Sequence, residues 1–246
     1  MYYLNLFLDK ILNIFFPKAC LGCFSPGQYI CKECFYKYAR INKIQRCHVC
    51  GGISITNFAH QDCLEYSYLD GLVSVVYYDE FIKKILHSVK YGLNYSILTE
   101  VGCIMSDYIC KYYNFNFAEF NLTFVPMHIK KYFLRGFNQS KIIAKQIALN
   151  LNINIDYGLK KIKFTNSQVG LLKKERLFNL QDSFIYKKDF RENFLYQKSK
   201  IIVVDDVYTT GATLNTVAKV LKENGYKNVY GFTFAKSGDT MYFKYK

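Results

Sequence analysis

Ile201-Ile-Val-Val-Asp-Asp-Val-Tyr-Thr-Thr-Gly-Ala-Thr213 is the most informative segment of the chain. Its leading apolar run, Ile201–Val204, predicts a central strand that is buried on both faces. Asp205 and Asp206 follow at the end of that strand, and a turn rich in hydroxyl groups leads into a helix. A buried strand, a short turn and a helix in this order indicate an α/β fold.

The turn itself has the composition of an anion-binding site. N–H groups at the start of a helix have no partner inside the helix, so we expect those of residues 209–213 to face a ligand. The hydroxyls of Thr209, Thr210 and Thr213 can donate to phosphate oxygens, and Gly211 lets the backbone approach an anion closely. The alternative is an ordinary turn with a threonine helix cap, which leaves most of these residue types unused.

Two adjacent carboxylates beside such a turn cannot bind phosphate. Asp205 and Asp206 are instead suited to accept hydrogen bonds from ribose hydroxyls, or to contact a Mg²⁺ ion that the ligand carries. The whole segment therefore predicts a site for a phosphorylated sugar.

Strands and helices alternate along the chain from Gly71 onward. We expect strands over Gly71–Tyr78, Asn121–Val125, Ile155–Ile162, Ile201–Val204 and Val229–Phe234, and helices over Phe81–Val89, Ile97–Tyr113, Gln139–Leu151 and Thr213–Asn224. This order predicts a parallel sheet covered by helices on both faces. Ligands of such sheets bind beyond the carboxyl ends of the strands.

Seven of the nine cysteines lie between Cys20 and Cys63. Six of them form three Cys-x-x-Cys pairs, and the seventh, Cys63, follows His60 at the same spacing. That spacing lets both side chains of a tight turn point at one tetrahedral ion. Pairing neighbouring turns predicts a site with four cysteines and a second site with three cysteines and a histidine. The candidate ligands are Cys20, Cys23, Cys31 and Cys34 in the first site and Cys47, Cys50, His60 and Cys63 in the second. We expect one or two structural Zn²⁺ ions.

The second site leaves one choice open, because His48 competes with His60 as the histidine ligand. We expect the glycines of these turns, Gly22, Gly51 and Gly52, to need positive φ angles.

The cysteine-rich region is too small for a hydrophobic core of its own, so a metal must supply much of its folding energy. We therefore divide the chain into residues 1–66, an N-terminal helix plus a double zinc-ribbon module, and residues 67–246, the α/β domain. Cys103 and Cys110 lie in an apolar helical stretch of the second part, and we expect them to pack in its core.

The formal net charge of +14 points to an anionic partner, although a basic bias of the whole proteome explains it equally well. The apolar segment Tyr2–Phe16 is interrupted by Asp9 and Lys10, lacks the features of a signal peptide, and is shorter than the ~20 residues that span a bilayer. We expect a docked amphipathic helix there, no stable membrane insertion, and a cytoplasmic protein with reduced thiols.

Residues 201–213 resemble the phosphoribosyl pyrophosphate motif of type I phosphoribosyltransferases: four apolar residues, two acids, two spacers, then Thr-Thr-Gly-x-Thr. The resemblance implies that family's parallel sheet with flanking helices, and binding of phosphoribosyl pyrophosphate together with Mg²⁺. It assigns the ligand to Asp205, Asp206, Thr209, Thr210, Gly211, Ala212 and Thr213. The purine-salvage members carry an aspartate at the position of Thr209, which argues against purine salvage here.

Three further segments resemble the ComF family, phosphoribosyltransferase-like proteins linked to DNA uptake in competent bacteria. They are Val125-Pro126 with Arg135-Gly136-Phe137-Asn138-Gln139, Thr165-Asn166-x-Gln168 continuing to Arg176-x-x-Asn179 and Phe184, and Leu86 to Lys90-Tyr91. Together with the zinc-ribbon module, the resemblance covers nearly the whole chain. It implies a pyrophosphate loop at Arg135 and Gly136 and a closing loop over Thr165–Phe184.

The residue types in the pyrophosphate loop and in the closing loop suit these roles, but each loop also has a simpler interpretation. The guanidinium of Arg135 and unpaired N–H groups beside it can hold pyrophosphate oxygens, whereas the alternative is a surface salt bridge. The basic segment Thr165–Phe184 can exclude water from a reactive centre, whereas the alternative is a solvated helix.

Two functions of different class fit these features. The first is a phosphoribosyltransferase in which Asp205, Asp206 and Arg135 are the catalytic residues and the acceptor is unknown. The second is a non-catalytic protein that senses phosphoribosyl pyrophosphate and binds nucleic acid. The candidate partners are this sugar pyrophosphate, single-stranded DNA and other DNA-uptake proteins. The zinc module presents basic residues that suit an acidic polymer, namely Lys32, Lys37, Arg40, Lys43 and Arg46.

Overall fold

The computed structural model describes residues 18–44, 46–54, 58–91, 96–164, 182–187 and 200–237. The strands are β1 (Gly71–Tyr77), β2 (Phe120–Phe124), β3 (Leu159–Lys161), β4 (Phe184–Tyr186), β5 (Lys200–Tyr208) and β6 (Asn228–Lys236). The helices are α1 (Lys32–Tyr38), α2 (Glu80–Tyr91), α3 (Ser96–Tyr112), α4 (Ile129–Arg135), α5 (Gln139–Leu151) and α6 (Ala212–Glu223). Short 3-10 helices span Gln61–Tyr66 and Phe117–Glu119.

The main sheet is parallel and has the strand order β1-β6-β5-β2. Its central strands β5 and β6 are buried along most of their length, in keeping with the apolar run Ile201–Val204. One face packs against α2, α3 and α5 around Phe232 and Phe234. The other face packs against α6 around Val217 and Leu221. The predicted parallel sheet with helices on both faces is confirmed.

Strand β5 is longer than its apolar run predicted. It continues through Asp205 and Asp206 to Tyr208, because β6 stays paired with it as far as Lys236. The acidic pair therefore sits on a rigid strand, and only the turn that follows is irregular.

The chain after α5 also differs from the expected strand Ile155–Ile162. Ile155 forms a single parallel bridge to Leu122 of β2, and the strand itself is limited to β3. β3 then pairs with β4 as a separate antiparallel hairpin. Helices α1 and α4 were not predicted.

Cys103 and Cys110 are exposed, which corrects the expectation that they pack in the core. Both lie on α3, whose buried face carries Val101, Met105 and Ile109 at helical spacing. The two cysteines lie outside that buried face, on the side of the helix that faces solvent.

The cysteine-rich module is joined to the α/β part by backbone hydrogen bonds. The Glu100 carboxylate of α3 accepts from the N–H groups of Tyr29 and Ile30 at 2.9 Å. Ile41 forms an antiparallel bridge to Val76, at the edge of β1 that no other strand of the described sheet occupies. The module thus covers an otherwise exposed strand edge.

Two predicted segments cannot be compared in full. The expected helix Tyr2–Phe16 and residues 165–181 of the expected closing loop lie outside the described residues. Within the described part of the chain, no helix has the length and apolarity needed to cross a bilayer.

Candidate phosphate-binding site and metal centres

The turn between β5 and α6 presents unpaired N–H groups at the carboxyl end of the sheet. Gly211 is the N-cap of α6 and, as a glycine, offers the helix no side-chain cap. No described residue accepts a hydrogen bond from the N–H of Thr209, Thr210 or Gly211. The Thr210 hydroxyl oxygen accepts from the Ala212 N–H at 3.4 Å, so its own proton is left for a ligand. Amide and hydroxyl donors of this kind are suited to an anion.

Gly211 is required at its position for two reasons. Its φ is +78°, in the left-handed region that favours glycine, and a Cβ there would lie 2.5 Å from the Tyr208 hydroxyl oxygen. Tyr208 is buried against α6. The sequence suggested that Gly211 makes room for an anion, and the structure adds that it makes room for Tyr208.

Asp205 and Asp206 stand side by side near the end of β5. The Ser140 hydroxyl, in the first turn of α5, donates to Asp205 Oδ1 at 2.8 Å. Asp206 Oδ1 accepts from the Val207 N–H at 2.8 Å. Burial of the carboxyl group, followed by the negative charge of Asp206, raises the pKa of Asp205 to about 8. A carboxyl group with this pKa can exchange a proton near neutrality when a ligand or a cation arrives.

Arg135 is connected to the acidic pair through its neighbours. It ends α4, and its Nη1 donates to Gln139 Oε1 at 3.5 Å, a long hydrogen bond. Gln139 Nε2 is buried and has no hydrogen-bond partner among the described residues. Gln139 precedes Ser140, which contacts Asp205, so Arg135 is linked to the acidic pair through the first turn of α5.

The structure does not place Arg135 and Gly136 in the turn itself. Both line an open groove of about 560 Å³ beside Ile142 and Leu149, and residues 209–213 do not border it. The Gly136 N–H donates to the Tyr132 carbonyl at 2.7 Å. This amide closes α4 and is not unpaired, contrary to the sequence expectation, because that helix was not foreseen.

The first cysteine group brings four sulfur atoms together. The Sγ atoms of Cys20, Cys23, Cys31 and Cys34 lie within 4.8 Å of one another. Burial would raise the pKa of Cys20, but hydrogen bonds from backbone N–H groups outweigh it and lower the pKa to about 6. Burial and the adjacent thiols raise the pKa of Cys34 to about 12. Thiols that compete to ionise are relieved by a divalent cation, so the group could hold a metal ion such as zinc.

The second group contains His60 and not His48. The ligand atoms of Cys47, Cys50, His60 and Cys63 also lie within 4.8 Å of one another. His60 Nε2 is 3.1 Å from the Ile53 carbonyl oxygen, which can only accept, so this nitrogen carries the proton and Nδ1 is left for a metal. The geometry therefore favours His60 over His48 as the candidate ligand.

The glycines of the metal-binding turns are needed mostly for space. Gly51 has the expected positive φ of 78°. Gly22 and Gly52 do not, which corrects the expectation for them. A Cβ at Gly22 would lie 2.6 Å from Cys34 Sγ, and one at Gly52 would lie 2.9 Å from His60 Cε1. Close packing around the candidate metal ligands disfavours a side chain at both positions.

The second cysteine group lies directly against the turn between β5 and α6. His48 Nε2 is 2.9 Å from the Ser67 hydroxyl, and that hydroxyl donates to Asn215 Oδ1 in α6 at 3.0 Å. A cavity of about 40 Å³ lies between the two parts, lined on one side by His48 and Ser67 and on the other by Thr210 and Gly211. The module therefore lies next to the turn, at the start of α6.

Comparisons with known proteins agree with this geometry. A family model for the phosphoribosyl transferase domain matches residues 138–246. Competence protein F of Haemophilus influenzae is 33% identical over 114 residues, which are 46% of this chain and 48% of that protein. Competence protein ComFC of Streptococcus pneumoniae is 23% identical over 210 residues, covering 84% of this chain and 87% of that protein. Competence protein ComFC of Bacillus subtilis is 26% identical over 220 residues, 86% of each chain.

Together these similarities support a ComF-family, phosphoribosyltransferase-like protein. Its match to the Haemophilus protein spans about half of that relative's length, whereas the two ComFC matches span most of theirs. The predicted resemblance to the ComF family is thus confirmed, and so is the phosphoribosyltransferase-type sheet preceded by cysteine groups compatible with a zinc-binding module.

Sequence reasoning missed several residues at the site of this ComF-family protein. Ser140, Ser67 and Asn215 reach it only through contacts between segments far apart in the chain. Nothing in their local sequence distinguishes them from ordinary polar residues. Gln139 alone had a signal, since it closes the Arg135–Gln139 segment that resembles the family.

Proposed function

We propose that this ComF-family protein binds phosphoribosyl pyrophosphate at the turn Thr209–Thr213 and acts in DNA uptake. The observation that carries the proposal is the row of unpaired N–H groups at the start of α6, beside Asp205 and Asp206. The names of its competence-protein relatives support the biological role. We assign the phosphate chemistry to residues 67–246, the zinc ribbons to residues 1–66, and the action to the cytoplasm, in agreement with nine cysteines that form no disulfide.

The residues present fit the two metals that the family implies. Two sets of four sulfur and imidazole donors within 4.8 Å are the chemistry that Zn²⁺ prefers, and we propose a structural zinc ion in each. Asp205 and Asp206 are oxygen donors of the type that Mg²⁺ prefers, and they would hold the ion that accompanies the pyrophosphate. That ion supplies positive charge to the leaving group.

The proposed reaction transfers the phosphoribosyl group to an acceptor. The bond between C1 and the pyrophosphate oxygen breaks, pyrophosphate leaves with the electron pair, and an acceptor nucleophile forms a new bond to C1. The turn holds the 5-phosphate through amides and hydroxyls, and the acidic pair orients the ribose hydroxyls and stabilises positive charge at C1. Arg135, which contacts Gln139 in the first turn of α5, offsets negative charge on the departing pyrophosphate.

A second candidate function is favoured by the position of the cysteine-rich module. Because the module lies against the turn, it can present its cations to a nucleic acid while the turn holds the sugar pyrophosphate. In that case the protein senses phosphoribosyl pyrophosphate and binds single-stranded DNA without turnover. Other DNA-uptake proteins are the further partners that this role requires.

Calorimetric titration of the zinc-loaded protein with phosphoribosyl pyrophosphate and Mg²⁺, followed by a pyrophosphate-release assay with and without single-stranded DNA, tests both candidates. We expect binding in the natural chain and its loss in Asp205→Asn/Asp206→Asn. Release that disappears in the same variant supports the transferase. Salt-dependent DNA binding that survives in the variant and is lost on zinc chelation, with no release, supports the sensor. Absence of binding by the natural chain would refute the proposal.

A further inference from the structure

Lys236 is a buried cation at the carboxyl end of β6. It is 6% exposed, and its Nζ lies 4.7 Å from the centre of the Tyr77 ring. No described residue offers its ammonium group a carboxylate or another hydrogen-bond acceptor. Buried lysines in proteins are almost always paired, because removing an ammonium group from water is costly. An anionic ligand would therefore stabilise the charged form of Lys236.

Two arginines of the cysteine-rich module approach the same place. The guanidinium carbon of Arg40 lies 4.5 Å from the centre of the Tyr77 ring that also contacts Lys236. Arg46 is held in place by a hydrogen bond of 3.0 Å from its Nη1 to the Gly51 carbonyl. Burial first, and then the positive charge of Arg46, lowers the pKa of Lys236 to about 8. Arg40 and Lys236 thus share one aromatic ring, and Arg46 acts electrostatically on Lys236.

Asp79, the described carboxylate that contacts the Arg40 backbone, is already engaged. Asp79 Oδ2 accepts from the backbone N–H of Arg40 at 3.3 Å, and its Oδ1 accepts from the Ile82 N–H at the start of α2. Its role is to join the module to the end of β1. It is therefore not the counterion of Lys236.

The cluster lies one strand away from the phosphate-binding turn. Lys236 is in register with Tyr208 of β5 on one side and Tyr77 of β1 on the other. The Ser237 N–H donates to the Tyr208 carbonyl at 2.9 Å, immediately before the turn begins at Thr209. Since neighbouring strands are about 4.8 Å apart, a ligand at Lys236 would lie beside a ligand at the turn.

We propose that Lys236, Arg46 and Arg40 form a subsite for a phosphate group of the acceptor. The proposal rests on the proposed function, because it takes the turn as the site of the sugar pyrophosphate, and it adds the chemical class of the second substrate. A phosphate ester, either of a nucleotide or of single-stranded DNA, would neutralise the converging cations. The Tyr77 ring forms an apolar wall on which Lys236 and Arg40 are held in position.

The test uses NMR to monitor the ε-carbon resonance of Lys236. The sample is the full, zinc-loaded chain with ¹³C-labelled lysine ε-carbons. The Lys236 resonance is assigned as the signal that disappears in Lys236→Met. Inorganic phosphate, thymidine monophosphate and a single-stranded oligothymidylate are the probes. We expect each bound probe to move this resonance and to raise the pKa of Lys236 from about 8 toward its ordinary value of 10.5. In Arg46→Gln, about ten times more probe should be needed to produce the same shift of the resonance.

Lys219 is the matched control. Its Nζ lies 5.8 Å from the Tyr68 ring on the exposed side of α6, so its resonance should not move. A stronger response to the oligonucleotide indicates DNA as the phosphate source, and an equal response to the mononucleotide indicates a small acceptor. A Lys236 resonance that none of the probes moves overturns the proposal. Because the readout is local, that result is distinguishable from failure of the turn to bind phosphoribosyl pyrophosphate, which the calorimetric titration measures separately.

Discussion

Ser140 donates a hydrogen bond of 2.8 Å from its hydroxyl to Asp205 Oδ1, and this contact ties the first turn of α5 to the strand that carries the acidic pair. It is the point where the Arg135–Gln139 segment and the 201–213 segment meet. The hydrogen bond also opposes the rise in the pKa of Asp205 that burial and Asp206 cause. Ser140 thereby controls both the position and the ionisation of the carboxyl group.

Ser140→Ala should weaken binding of phosphoribosyl pyrophosphate about threefold to tenfold, because loss of one such hydrogen bond costs about 1 kcal/mol. Calorimetric titration with Mg²⁺ present measures the change. Ser106→Ala is a suitable control, since its buried hydroxyl bonds only the Gly102 carbonyl within α3. If both variants bind equally well, Ser140 has no part in the site.

Asp205→Asn should stabilise the ligand-free protein while abolishing ligand binding. Folding raises the pKa of Asp205 to about 8. The folded protein therefore loses stability as the pH rises from the unfolded pKa of about 3.9 toward about 8, because the buried carboxyl group resists ionisation. Asparagine keeps the neutral form at every pH. The gain in the free energy of unfolding should therefore grow from pH 5 to pH 8 and exceed about 1 kcal/mol at the upper end.

Scanning calorimetry without ligand measures that gain. The exposed Asp107 of α3 provides the comparison, and Asp107→Asn should leave the pH dependence unchanged. A gain for Asp205→Asn that is the same at pH 5 and pH 8 would show that its carboxyl group is already ionised.

Gly211→Ala should cost about 1–3 kcal/mol of stability and most of the affinity for phosphoribosyl pyrophosphate, because it combines a left-handed backbone with a contact of 2.5 Å to the Tyr208 hydroxyl. Gly225→Ala separates the two effects. Gly225 also has a positive φ, of 102°, but a Cβ there meets nothing within 4 Å. Urea denaturation of both variants should show the larger loss for Gly211. Equal losses of stability in the two variants would mean that the Tyr208 side chain moves away from the new Cβ without destabilising the protein.

His60→Ala should reduce the bound zinc from two ions to one per chain, whereas His48→Ala should leave two. The reason is that His60 Nδ1 belongs to the second ligand group, and His48 faces Ser67. Metal analysis by mass spectrometry after dialysis measures the content, and Cys103→Ser is a control for loss of an exposed thiol outside both groups. Two ions retained in His60→Ala would exclude His60 as a ligand.

The sequence predicted the elements whose signal is local. The apolar run before Asp205 and the helical spacing of Gln139–Leu151 were enough to place β5 and α5, and the latter matches its predicted bounds. Helix α4 could not be foreseen, because Phe133 and Leu134 are 79% and 81% exposed and give it no amphipathic pattern.

The residues of the candidate site also divide into those with a local sequence signal and those without one. The turn, the acidic pair and the cysteine spacing are visible in consecutive residues. The links from Ser140 to Asp205 and from Ser67 to Asn215 depend on how distant segments pack, as does the isolation of Lys236. Choosing His60 over His48 likewise required the position of the Ile53 carbonyl.

The bridge between Ile41 and Val76 has a practical meaning for anyone who shortens this chain. A fragment that begins at residue 67 would leave the outer side of β1 with unsatisfied amides and carbonyls, ready to recruit another polypeptide. Such a fragment would self-associate even if every catalytic group were intact, so its inactivity would reveal nothing about the chemistry.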